Sequence, residues 1–279
     1  MPAKTRKSKT VCLQSDPGGG KSVMAGRTAV QRPVHFCDID RKILSAGWAQ
    51  PYLEKEDITV WELAESIDEA NYNARIATLT AKAKPLVQPK GWTMFGEYFN
   101  SHDDPNWVKA GTVVIDSATM LNEHLKTHIQ YLAQIGKYQW DHWFALKKGW
   151  MDTLSALRDL HIAHGKDLIV TVHERDKSEP GDKTTGVKTE ATFIPGQGTT
   201  YTEVYQGTKD YKVWASIDGA FGSLIGVQMD EYYHLYVDTT DKDKPVWRCR
   251  VQPDGQRNLR TSFDVKQPVF NPDFRLIWQ

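Results

Sequence analysis

Cysteine is scarce. The 279 residues hold three, Cys12, Cys37 and Cys249, far apart and in no C-x-x-C pair. That pattern offers neither a zinc site nor a disulfide framework, and it suits a reducing compartment such as the cytoplasm. Net charge is also missing, because 35 Lys and Arg are balanced by 35 Asp and Glu. Any nucleic-acid surface is therefore a local patch. No apolar stretch approaches the ~18 residues of a membrane span, and the N-terminus has no apolar signal core, so no membrane partner is expected. There is no internal repeat. What remains is 40% hydrophobic and 25% charged residues, which fits one large α/β domain or two small ones.

Glycine is concentrated at one place. Ser15-Asp16-Pro17-Gly18-Gly19-Gly20-Lys21-Ser22 follows the phosphate-loop pattern G-x-x-x-x-G-K-[ST], with Ser15 in the place of the first glycine. Three glycines let the backbone bend sharply and aim successive N–H groups at phosphate oxygens. Lys21, taken as solvent-facing, would reach the β- and γ-phosphates, and Ser22 would bind Mg²⁺. Val23 continues the loop into a helix over residues 22–30, whose positive end faces the anion. The apolar run Thr10 to Gln14 supplies the preceding strand. The bland alternative is a glycine-rich turn that happens to end in Lys-Ser.

Two further runs end in acids: residues 34–40, closing on Asp38 and Asp40, and Thr112-Val113-Val114-Ile115-Asp116-Ser117. The second is a Walker B pattern, expected on a strand beside the glycine-loop strand, with Asp116 serving Mg²⁺. Residues 167–174 form another buried strand, ending in His173-Glu174. Helices are expected over 54–83, 118–135 and 139–163. Residues 85–105 read as an irregular connection with a short helix, and 219–229 as a short apolar helix. Trp140, Trp143, Phe144 and Trp150 recur at helical spacing; the stripe reads as core, with base stacking as the alternative.

Residues 175–212 have little aliphatic periodicity and combine Lys177, Lys183, Lys188 and Lys209 with Phe193, Tyr201, Tyr205 and Tyr211. Basic and aromatic residues together suit a loop that binds single-stranded DNA; a surface insertion is the other reading. Residues 1–9, with Lys4, Arg6, Lys7 and Lys9, read as a flexible tail that is either solubilising or a phosphate contact. Residues 232–237, 245–251 and 257–263 alternate as a small antiparallel meander, and 266–279 read as an extended tail.

The place directly after Asp116 holds Ser117, so a carboxylate that activates water has to come from elsewhere. This arrangement resembles the RecA-like recombinase core over residues 10–265, and within it the phage-encoded ATPases of the Sak type. The likeness lies in the Walker motifs and in residues 34–42, 112–121, 140–145, 169–174 and 230–237. It implies an α/β fold with a mostly parallel sheet flanked by helices, and ATP with Mg²⁺ as cofactors. It places Asp40 as the water-activating acid, His173 or Glu174 as the γ-phosphate sensor, and 175–212 as the DNA loop. It also implies single-stranded DNA, a ring or filament of copies and a single-strand-binding protein as partners, in the host cytoplasm. A cation acting across the subunit interface would come from Arg248, Arg250, Arg257 or Arg260. The competing functions are a nucleotide-gated structural or loading factor with little turnover, and a small helicase- or packaging-type motor.

Overall fold

The computed structural model describes residues 7–63, 88–176, 187–194, 198–205, 213–215, 225–240, 245–253, 259–265 and 267–277. In chain order the strands are β1 (Thr10–Ser15), β2 (Val34–Asp38), β3 (Ile58–Glu62), β4 (Thr112–Asp116), β5 (Asp167–Asp176), β6 (Val187–Ile194), β7 (Gly198–Tyr205), β8 (Val213–Ala215), β9 (Glu231–Asp238), β10 (Val246–Arg250) and β11 (Val269–Phe270). The helices are α1 (Lys21–Gly26), continued by a 3₁₀ turn over Arg27–Val30, then α2 (Gln50–Leu53), α3 (Gly91–Asn100), α4 (Pro105–Lys109), α5 (Ala118–Ala133), α6 (Trp140–Ala163), α7 (Ile225–Gln228) and α8 (Phe274–Ile277).

The main sheet runs β11-β10-β9-β1-β5-β4-β2-β3. The six strands from β9 to β3 are parallel, and β10 and β11 close one edge antiparallel. Parallel strands need cover on both faces, which is why the central runs are continuously apolar. Strand alternation divides them. Cys12, Cys37, Val113, Ile115, Leu168 and Val170 pack with α3, α5 and α6. Val11, Leu13, Phe36, Val114 and Ile169 pack with α1 and α8 on the other face. Ser117 caps α5, accepting from the Met120 N–H at 3.4 Å, and Asp104 caps α4 with bonds from Asn106 and Trp107. Both fix where these helices begin.

The fold class is therefore α/β with a mostly parallel sheet and a C-terminal antiparallel meander, as expected, but several boundaries differ. The stretch expected to be helical over 54–83 contains β3. Its Ile58-Thr59-Val60-Trp61 run is β-branched and aromatic, and the edge of β2 takes it up as a strand. Residues 64–87 lie outside the described residues. The Asp116 strand is not beside β1, because β5 lies between them. The third meander strand is β11; of residues 257–263, the described ones, 259–263, contribute an isolated bridge between Arg260 and Tyr232. The expected extended tail holds β11 and α8, whose Phe274 and Ile277 are buried in the core.

The stretch 175–212 is not without regular structure. β6 and β7 pair antiparallel in a separate two-stranded sheet, and β8 pairs with the end of β5. The Thr-, Val- and Tyr-rich sequences of β6 and β7 suit strand pairing. The register pairs Ala191 with Tyr201 and Val187 with Tyr205. Lys177, Lys183 and Lys209 lie outside the described residues, as do residues 1–6 of the basic tail. Lys9 itself is anchored. Its N–H donates to Asp167 Oδ1 at 2.9 Å and its ammonium to Ser262 at 2.6 Å.

The aromatic stripe on α6 divides along its length. Trp150 is buried and donates to Asn122 Oδ1 at 2.9 Å, so the later turns are core. Trp140 and Phe144, in the first turns, are exposed.

Candidate functional site

The sheet gathers the acid-ending strands at one end. Register sets Asp38 beside Asp116 and Ser15 beside His173. The glycine loop closes over this end. Gly20 has φ of 90°, a left-handed conformation that strains any residue with a Cβ. A Cβ on Gly19 would lie 2.4 Å from Ser15 Oγ. Ser15 thus fills space beneath the loop and requires glycine above it. Asp16 O accepts from Gly19 N at 3.1 Å and from Ser15 Oγ at 2.7 Å, locking the bend.

Lys21 is not solvent-facing. It is 6% exposed, because α1 begins at this residue and aims it back beneath the loop. Its ammonium, with three N–H groups, lies within hydrogen-bond distance of four acceptor positions: Ser15 O (3.1 Å), Ser15 Oγ (2.8 Å), Asp16 O (3.1 Å) and His173 Nδ1 (3.2 Å). Burial pulls its pKa down to about 8, against the opposing charges of Asp116, Asp40, Glu174 and Asp16. The other ring nitrogen of His173, Nε2, faces Asp40 Oδ2 at 3.8 Å. His173 is itself positioned from its backbone, whose N–H donates to Thr119 Oγ1 at 2.9 Å.

Asp116 accepts from Ser22 Oγ at 2.6 Å on one oxygen and from Thr171 Oγ1 on the other. Burial pushes its pKa up, against these two hydrogen bonds. Asp40 lies in the turn beyond β2, with its side chain 8% exposed. It accepts from Ser117 Oγ at 2.9 Å and from Lys42 at 3.2 Å. Burial works to raise its pKa, but the neighbouring His173, the bond from Ser117 and the Lys42 charge outweigh that and hold it at about 2. A carboxylate so weakly basic orients water better than it removes a proton.

Asp38 is occupied differently. Its Oδ2 accepts from the Lys42 and Ile43 N–H groups at 2.8 and 2.7 Å, which ties the turn that presents Asp40. Glu174 lies 2.9 Å from His234 Nε2 and close to Asp16, on the β9 side of the glycine loop. Of the two sensor candidates, only His173 lines the cavity.

That cavity, about 260 Å³, is lined by Pro17, Gly18, Gly20, Lys21, Ser22 and Val23 on the loop side and by Asp40, Lys42, Ile43, Ala46 and Trp48 opposite, with Asp116 and His173 between. Among the described residues no cluster of three His, Cys, Asp or Glu side chains could hold a metal alone. Mg²⁺ does not need one here, since it takes one or two protein oxygens and completes its octahedron with water and phosphate. The Ser22 hydroxyl and Asp116 carboxylate, already within 2.6 Å of each other, are oxygen donors that fit it.

The expected trans-acting arginines do not line this cavity. Arg248 bonds Asn271 at 3.2 Å, Arg250 lies over the Tyr236 ring, and Arg260 bridges Tyr232 through its backbone. Arg257 is outside the described residues. Reasoning from sequence also missed contributors. Thr171 was visible as a lone hydroxyl in an apolar strand. Lys42 and Trp48 follow Asp40 in an irregular segment with no periodicity to flag them. Trp247 is reached only through the fold; its ring would come within 3.2 Å of a Cβ on Gly20. Trp48 gives a direct readout. Titrating ATP is expected to change tryptophan emission, and Trp48→Phe to remove most of that change; an undiminished response would place the nucleotide away from this wall.

Among the described residues no helix is long and apolar enough to cross a membrane. Set against known proteins, the chain matches no family model and no curated relative.

Proposed function

We propose that this protein is a RecA-like, Mg²⁺-dependent ATPase that binds single-stranded DNA and acts in recombination, by annealing or strand exchange, as a ring or filament of copies. One observation carries the reading: Lys21, Ser22, Asp40, Asp116 and His173 converge on a single cavity under a glycine loop. Each has a task in phosphoanhydride hydrolysis. Loop N–H groups and Lys21 neutralise the phosphates, Ser22 and Asp116 take Mg²⁺, Asp40 orients water, and His173 contacts the terminal phosphate. His173 lies on β5, which runs on to Asp176 before the chain reaches the β6–β7 hairpin. A terminal phosphate bound at one end of this element would bias its arrangement, which links nucleotide to DNA.

A second reading has its own support. Asp40, held at a pKa of about 2, is a poor base, which favours a nucleotide-gated loading factor with slow turnover. ATP hydrolysis with and without single-stranded DNA separates the two. Stimulation supports the recombination ATPase, whereas tight binding with no turnover in either condition supports the loading factor. The DNA claim has a separate measurement. Replacing Lys183, Lys188 and Lys209 with Ala is expected to lower the slope of log affinity against log salt by roughly 2, at about 0.7 per phosphate contact on a single strand. ATP binding should survive. An unchanged slope would remove this segment from the DNA surface.

A further inference from the structure

The sequence directs attention to arginines on a neighbouring copy for the cation that completes the site, but the cavity already holds a second cation of its own chain. Lys42 stands on the wall opposite the glycine loop, among the residues that line the same space as Lys21, Asp40, Asp116 and His173. Its backbone is fixed, because its N–H donates at 2.8 Å to the buried Asp38. Its side chain is 71% exposed and reaches inward to Asp40 at 3.2 Å. The lysine end of this pair is open to water, which weakens its hold, so a phosphate oxygen entering the cavity competes for the ammonium. Lys21 differs in kind, with four partners beneath the loop.

Resting on the ATPase reading above, we propose that Lys42 is a catalytic residue that acts in cis, shifting from Asp40 to the terminal phosphate in the transition state. Water held by Asp40 adds through its oxygen to the terminal phosphorus. The bond from that phosphorus to the bridging oxygen breaks, and its electron pair leaves on the nucleoside diphosphate. The water proton passes to an oxygen of the released phosphate. Lys42 transfers nothing; it balances charge on the equatorial and leaving oxygens as the bond breaks. Its departure from Asp40 also frees a carboxylate oxygen to hold the water.

The test uses the full chain with Mg²⁺ and ATP. Lys42→Ala and Lys42→Gln are expected to lower kcat by roughly 10- to 100-fold, at or below the loss seen for a single transition-state donor, with KM for ATP nearly unchanged. Lys42→Arg should restore most of the rate. A purely structural role would not produce that split between kcat and KM together with rescue by the conservative variant. Mixing Lys42→Ala with excess Lys21→Ala protein should recover no activity, since each variant lacks part of its own site. Recovery in the mixture would mean that Lys42 serves a neighbouring copy and would overturn the assignment in cis. A wild-type rate in Lys42→Ala would overturn the role itself while leaving the ATPase reading intact. No Mg²⁺-dependent turnover in the wild type would overturn both.

Discussion

Lys21→Ala is expected to reduce ATP turnover by at least ~10²–10³-fold, the loss typical of a single preorganised charge at a reacting centre, and to weaken nucleotide binding. The ammonium is the most heavily bonded group in the cavity, and the bonds that hold it also point it at the loop interior. The same burial adds a pH signature. The folded pKa of about 8 lies below the ordinary 10.5. Between those values the unfolded chain binds more protons than the folded one, so this lysine makes stability rise with pH across the window. Below about pH 8 the charged form is present and its desolvation opposes folding. Unfolding measured from pH 7 to 10.5 should show the wild type gaining on the variant, by on the order of 3 kcal/mol. Nucleotide affinity should move the other way, falling as pH rises through about 8, because the phosphates then bind a neutral amine that has to be recharged. Wild-type turnover in the purified variant would remove the glycine loop from the chemistry.

The parts of this protein that could be read in the sequence are those where one local pattern has one physical cause. β1, β2, β4 and β5 are apolar runs that end in polar groups, because strands covered on both faces must be apolar and their carboxyl ends open onto a site. Ser15 to Ser22 needed no tertiary context, since glycine at φ of 90° has few substitutes. The stretches that misread were those settled by neighbours. Ile58 to Glu62 became a strand because β2 had an open edge, and Phe274 with Ile277 fold onto the core although two prolines precede them. The burial of Lys21 depends on Ser15 filling the space under the loop, a packing relation between residues six apart that no periodicity encodes. Lys42 and Thr171 enter the site only because the strand order sets β5 between β1 and β4 and lets the turn after β2 face the loop. Spacing alone put the Asp116 strand next to β1.

Asp40→Asn and Asp116→Asn should separate cleanly, because in the proposed reaction the two carboxylates act at different stages. Asp116 would serve the ground state. It sits between Ser22 and Thr171 with both oxygens accepting hydrogen bonds, and its replacement should raise the Mg²⁺ concentration for half-maximal activity by about 10-fold or more. Saturating metal should restore part of the rate. Asp40 would serve the transition state. Its replacement keeps the shape of the side chain and the Ser117 contact, but it loses the charge proposed to orient water. The expected result is a fall in kcat of ~10²-fold with little change in KM, the pattern of an interaction made only as the reaction proceeds. The acid side of stability provides a control independent of activity. The folded pKa of about 2 is below the ordinary 3.8, so Asp40 adds stability that is present above pH 3.8 and disappears as pH falls toward 2. Asp40→Asn should lose that increment at neutral pH and show a flatter acid limb, whether or not the protein hydrolyses ATP. Neither neighbouring acid can substitute, since Asp38 is bonded to the Lys42 and Ile43 N–H groups and Glu174 lies against His234. Loss of nucleotide binding in Asp40→Asn, with bound nucleotide still hydrolysed at the wild-type rate, would therefore rule out a carboxylate on this wall as the group that holds the water.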